Sequence, residues 1–65
     1  MIKKIGVLGL GRMGGTAARL LLADGHEVFA VDRPSTRWLL DAGGNLVGNP
    51  RTLGEVADLI ILLLA

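Results

Sequence analysis

The residues of this 65-residue chain best placed to do chemistry are Gly9, Gly11, Gly14 and Asp32. The glycines form a G-x-G-x-x-G pattern with Leu10, Arg12 and Met13. In such a pattern the first glycine lets the chain turn sharply at the end of a strand. The second removes a side chain where a pyrophosphate must approach the backbone, and the third lets a helix pack closely on the strand. The N–H groups of that helix's first turn then face the phosphates, assisted by roughly +0.5 charge from the helix dipole. Asp32 follows Gly14 at close to the ~20 residues at which an acid accepts hydrogen bonds from an adenosine ribose. A 2′-phosphate in the same place meets like-charge repulsion, so Asp32 favours NAD over NADP. Arg33 opposes that preference, because a guanidinium beside the carboxylate can pair with a 2′-phosphate and keeps NADP open as a second cofactor. The competing reading of Asp32 is a helix N-cap or turn residue. FAD proteins share the glycine pattern, so the pattern alone does not separate flavin from nicotinamide dinucleotides.

The glycine pattern acquires this meaning only between a strand and a helix. An apolar run over residues 4–9 supplies the strand, with Gly6 in its interior marking close packing of a helix over it. Residues 13–23 read as an amphipathic helix with Met13, Ala17, Leu20 and Leu21 on one face, ended by Gly25 as a left-handed cap. Val28-Phe29-Ala30-Val31 forms a second strand that closes on Asp32, without the polar alternation of a one-sided strand. His26 precedes that strand, at the end of the sheet opposite to where sites gather in open α/β sheets, so a surface or capping role is expected for it. Pro34 starts a short helix over 34–42, packed through Trp38 and Leu39. Residues 45–48 form a small edge strand. Asn49-Pro50 supplies an N-cap and first helical residue for a brief helix over 51–57, with Glu55 and Asp58 facing water. The apolar run over 59–65 is a last strand needing cover on both faces.

The resulting β-α-β-α-β-α-β order is one partial Rossmann-like unit over residues 1–65. Right-handed crossovers place its parallel strands in the order 3-2-1-4. The order reverses between the first and last strands, which opens the crevice where a dinucleotide lies.

Composition narrows the alternatives. Hydrophobic residues make up 51% of the chain and there are 10 glycines, as suits parallel strands covered by helices. One Trp and one Phe provide no stacking platform for single strands, and a net charge of +1 provides no basic field for nucleic acid or a membrane surface. With no Cys and one His, neither a disulfide nor a metal centre is expected. Arg12 and the glycines interrupt the apolar stretch near the N-terminus, against a signal peptide. The terminal run is far shorter than the ~20 residues of a membrane-spanning helix, and a cytoplasmic location is expected.

The segment Ile5-Gly6-Val7-Leu8-Gly9-Leu10-Gly11-Arg12-Met13-Gly14 resembles the N-terminus of the β-hydroxyacid dehydrogenases. That family includes 3-hydroxyisobutyrate dehydrogenases and tartronate semialdehyde reductases, with 6-phosphogluconate dehydrogenases as relatives. Ala18, Leu21-Leu22, Gly25-His26-Glu27-Val28 and Asp32-Arg33 continue the likeness, as do Asn49-Pro50, Glu55, Ala57-Asp58 and the terminal run. The likeness covers the whole chain but only the opening part of such an enzyme. It departs at Thr16-Ala17, at Ala65 where a Pro is frequent, and at the Asp32–Pro34 junction, which is one residue short.

The resemblance implies hydride transfer between NAD or NADP and a small β-hydroxy acid, in a protein that is a homo-oligomer at full length. It implies cofactor contacts at Gly9, Leu10, Gly11, Arg12, Met13, Gly14, Asp32 and Arg33. Leu63 and Leu64 match the place where the family's backbone passes the cofactor. The family's catalytic Lys and its carboxylate-binding Ser/Gly segment belong to a later substrate domain, so residues 1–65 carry no catalytic residue of their own. Two alternatives remain: the opening of a 6-phosphogluconate dehydrogenase, and a non-catalytic dinucleotide-binding module.

Overall fold

The computed structural model describes residues 3–9 and 12–62, with residues 12–14 described by their backbone alone. β1 (Lys4–Leu8) leads into α1 (Arg12–Ala23), and β2 (Glu27–Val31) follows. A 3-10 turn (Pro34–Thr36) precedes α2 (Trp38–Asp41), then come β3 (Asn45–Val47), α3 (Pro50–Val56) and β4 (Leu59–Leu62). The strands form one parallel sheet in the order β3-β2-β1-β4, as the crossover rule requires. Register pairs Ile5 with Val28 on one side and with Leu59 on the other.

Alternation along the strands assigns the two faces of the sheet. Ile5 and Val7 of β1 and Val28 and Ala30 of β2 point one way and bury against Ala18 of α1 and Leu39 of α2. Gly6 points the other way, toward α3. A Cβ at Gly6 would lie 2.9 Å from Leu53 Cγ and 3.2 Å from Ala57 Cβ, so α3 rests directly on the β1 backbone. Leu39 and Leu53, both fully buried, anchor the two helical layers. Burial of each such side chain is worth about 1.5–3 kcal/mol.

The ends of α1 and α3 follow from sequence. Gly25 adopts φ +90, its N–H donates to Leu22 O and the His26 N–H donates to Leu21 O, which closes α1 in a Schellman cap. Asn49 Oδ1 accepts from the Thr52 N–H at 2.8 Å, with Pro50 as the first helical residue of α3.

Three expectations are corrected. The buried face of α1 is not the one through Leu20, which is 67% exposed; Gly15 and Ala18 face inward, with Leu21 and Leu22 partly buried. Consecutive leucines at 20–22 leave the face undetermined; Ala18 packs into the core cluster on the sheet and Gly15 lies against Trp38, so that face turns inward. The segment 34–42 is not one helix but a 3-10 turn and a separate single-turn α2, divided at Arg37. The described part of the terminal run is covered only in part: Leu59, Ile60 and Leu62 are exposed on the outer strand β4, and Ile61 packs toward the core.

Candidate functional site: the carboxyl end of the sheet

β1 and β2 deliver two of the expected site residues to the same end of the sheet. β1 ends at Leu8 and the chain turns at Gly9, whose φ of +82 is strained for any residue with a Cβ. α1 then starts at Arg12, so the turn and the helix N-terminus adjoin the end of β1. The first turn of this 12-residue helix contains no acidic residue. Nothing there opposes an anion at the positive end of the dipole. Of the expected phosphate contacts, Arg12, Met13 and Gly14 are described as the first turn of α1. Leu10 and Gly11 lie outside the described residues, as do Leu63 and Leu64 beyond β4.

Asp32 follows the last residue of β2, the strand beside β1. Its N–H donates to Val47 O at 2.7 Å, which extends the β2–β3 ladder by one bond and fixes the backbone at the strand's end. The carboxylate is half exposed. Arg37 Nε donates to Asp32 Oδ1 at 3.3 Å, and the two side chains are 70% and 46% exposed, Arg37 being the more open. A pair so exposed contributes at most about 1 kcal/mol and leaves the carboxylate oxygens accessible. Asp32 caps no helix by its side chain among the described hydrogen bonds, which weighs against the N-cap reading. Arg33 is extended, at φ −147 and ψ 160, and exposed. Gly9 and the exposed Asp32 carboxylate thus lie at the ends of adjacent strands. That arrangement fits a ligand with phosphates at one strand end and a hydroxyl-bearing sugar at the next.

Two residues of this end were not anticipated. Thr36, 6% exposed, places its hydroxyl inside the turn after Asp32. Arg37 reaches back to Asp32 from the residue after it. The signal for Thr36 was its place three residues after Arg33, the N-cap of the 3-10 turn, the spacing at which an N3 side chain reaches back to the N-cap N–H. Trp38, expected to pack rather than stack on a cofactor, does pack: Gly15 lies beside its ring, and Arg19 Cζ sits 4.5 Å from the ring centroid.

The amino end of the sheet holds the other polar groups. His26 Nδ1 accepts from the Lys3 N–H at 3.3 Å, and its Nε2 lies 3.3 Å from Asp24 Oδ2, which agrees with the expected capping role. Asp58 is exposed, and its carboxylate also accepts from the Lys4 N–H at 3.1 Å. Among the described residues no cluster of three His, Cys, Asp or Glu forms a metal site, and no helix is long and apolar enough to cross a membrane.

Residues 4–65 match the family model described as the NAD binding domain of 6-phosphogluconate dehydrogenase. The chain is 42% identical to an L-threonate dehydrogenase of Cupriavidus necator over 65 residues, 97% of this chain and 22% of that protein. It is 39% identical to a 3-sulfolactaldehyde reductase of Escherichia coli over 62 residues, 92% of this chain and 21% of that one. With a probable mitochondrial 3-hydroxyisobutyrate dehydrogenase of Dictyostelium discoideum it shares 33% over 64 residues, 95% of this chain and 20% of that relative. The chain therefore spans about a fifth of the length of the curated relatives it matches. By the match over residues 4–65, with which the strand order and the Gly9 turn agree, the chain belongs to the family of the NAD binding domain of 6-phosphogluconate dehydrogenase.

Proposed function

We propose that residues 1–65 hold the adenosine and pyrophosphate half of a nicotinamide dinucleotide, within an oxidoreductase acting on a small β-hydroxy acid. The observation that carries this reading is the exposed Asp32 carboxylate at the end of β2, one strand from the Gly9 turn. Gly9, Leu10, Gly11, Arg12, Met13 and Gly14 form the pyrophosphate loop, with the first-turn N–H groups of α1 as donors. Asp32 accepts hydrogen bonds from the adenosine ribose, worth on the order of 1.5–3 kcal/mol for a charged acceptor. NAD is the preferred cofactor, because Asp32 repels a 2′-phosphate. Arg33 and Arg37 beside it soften that repulsion and make NADP the weaker second cofactor. Leu63 and Leu64 complete the cofactor contacts. Bound there, the dinucleotide supplies or accepts the hydride. The chain's own part is to orient it and to neutralise its phosphates.

The substrate domain, with its general acid or base Lys, belongs to sequence beyond these residues, and the assembled protein is a cytoplasmic homo-oligomer. Relatives named for L-threonate, 3-sulfolactaldehyde and 3-hydroxyisobutyrate support a small hydroxy acid or its carbonyl counterpart as substrate. The description of the matching family model supports 6-phosphogluconate as the second reading. A test offers the intact protein NAD with L-threonate, 3-hydroxyisobutyrate and 6-phosphogluconate in turn and follows reduced nicotinamide by absorbance. Reduction with one of the first two is expected. Reduction with 6-phosphogluconate alone establishes the second reading. Cofactor binding without reduction of any kind favours a non-catalytic dinucleotide-binding module.

A further inference from the structure

Thr36 is a buried polar side chain whose hydroxyl is wholly committed to the turn around Asp32. The hydroxyl lies 2.7 Å from Val31 O, the residue before Asp32, and accepts from the N–H of Arg33, the residue after it, at 2.9 Å. Arg33 O lies 3.1 Å from the same hydroxyl and also accepts from the Thr36 N–H at 3.0 Å. A hydroxyl has one proton, and the shorter contact assigns it to Val31 O. Asp32 itself donates its N–H across to Val47 O at 2.7 Å. The backbone on both sides of Asp32 is therefore pinned by one buried side chain, while the Asp32 carboxylate remains at the surface. Thr36 is too deeply buried to reach a bound ligand, and the next residue is Arg37, whose Nε reaches Asp32 Oδ1.

We propose that Thr36 is a positioning residue for cofactor recognition and discrimination: its hydroxyl fixes the turn that aims Asp32 at the ribose and sets Arg37 against it. The proposal rests on the reading that Asp32 receives the ribose. An Asp side chain at the end of a strand commonly bonds to the N–H two residues on, but that residue here is Pro34, which has none to give. Thr36 takes up the Arg33 N–H from within the core, so the turn is held without the carboxylate, which stays available to a ligand.

The test titrates NADH and NADPH against the intact protein by nicotinamide fluorescence. Thr36→Val removes the hydroxyl at nearly constant volume, and Thr36→Ser keeps it. Thr36→Val weakens NADH binding about tenfold, the effect of one hydrogen bond, and weakens NADPH binding less. Thr36→Ser stays within about twofold of the native protein for both. In an Asp32→Ala background Thr36→Val has no further effect on NADH, because its influence passes through the carboxylate. A merely structural role predicts the same loss in both backgrounds, and that result overturns the proposal. Native NADH affinity in a folded Thr36→Val protein, or failure of Thr36→Ser to retain it, overturns it equally. Where Thr36→Val does not fold, as judged by circular dichroism, Thr36→Ala takes its place in the same cycle. Native NADH affinity in Asp32→Ala alone is a separate outcome: it removes the ribose reading and the proposal with it.

Discussion

At the amino end of the sheet, polar side chains are used up on strand ends. His26 accepts from the Lys3 N–H, and Asp58 accepts from the Lys4 N–H. At the carboxyl end the same need arises beyond β2, but Thr36 meets it from inside the core and the acid is spared. Among the described residues the Asp32 carboxylate meets a surface guanidinium, which water or a ligand can displace at small cost. A histidine and an aspartate at one end thus serve the fold, and an aspartate of the same intrinsic chemistry at the other end is available to a ligand. The difference lies in which residue satisfies the neighbouring backbone.

That comparison is broken most severely at the glycine loop. Gly11→Val places a branched side chain where the pyrophosphate must approach, and we expect binding of NADH and NADPH to fall at least about a hundredfold, roughly 3 kcal/mol. Fluorescence titration checks this, and unchanged affinity discredits the loop assignment. Asp32→Ala comes next, at about 1.5–3 kcal/mol for NADH and distinctly less for NADPH. At the opposite end, His26→Ala and Asp58→Ala each lower stability by about 1 kcal/mol through the lost backbone bond. Both leave cofactor affinity unchanged, so a thermal melt should register these variants and a titration should not. Arg37→Ala has the smallest effect: stability moves by less than about 0.5 kcal/mol, and the ratio of NADH to NADPH affinity rises a few-fold. A ratio that falls instead would place Arg37 on the NAD side of the discrimination.

The features legible in the sequence were those whose cause is local. Asn49-Pro50 and Gly25 announce their caps because the cap is made by the residue itself and its near neighbours. The strand order followed from right-handed crossovers between short apolar runs, and Gly6 signalled close helix packing because it interrupts one of those runs. The distance of Asp32 from the glycines pointed to a strand end, and the residue does follow β2. What escaped depends on depth and on contacts remote in sequence. The leucine run at 20–22 does not say which of its members faces the sheet; the buried Gly15 and Ala18 mark that face. Nothing in Pro34-Ser35-Thr36 announces that the threonine is buried or that the segment divides at Arg37. The Asp58–Lys4 bond joins residues at opposite ends of the chain and exists only once β4 lies beside β1.

The measurement that bears most directly on the carboxyl-end site is a paired titration of native and Asp32→Ala proteins with NADH and NADPH, at matched folded populations. The account predicts tight NADH binding by the native protein, a loss of about tenfold or more on substitution, and a much smaller change for NADPH. Equal losses for both cofactors, or none for either, would take the ribose away from Asp32 and contradict the assignment of this end of the sheet.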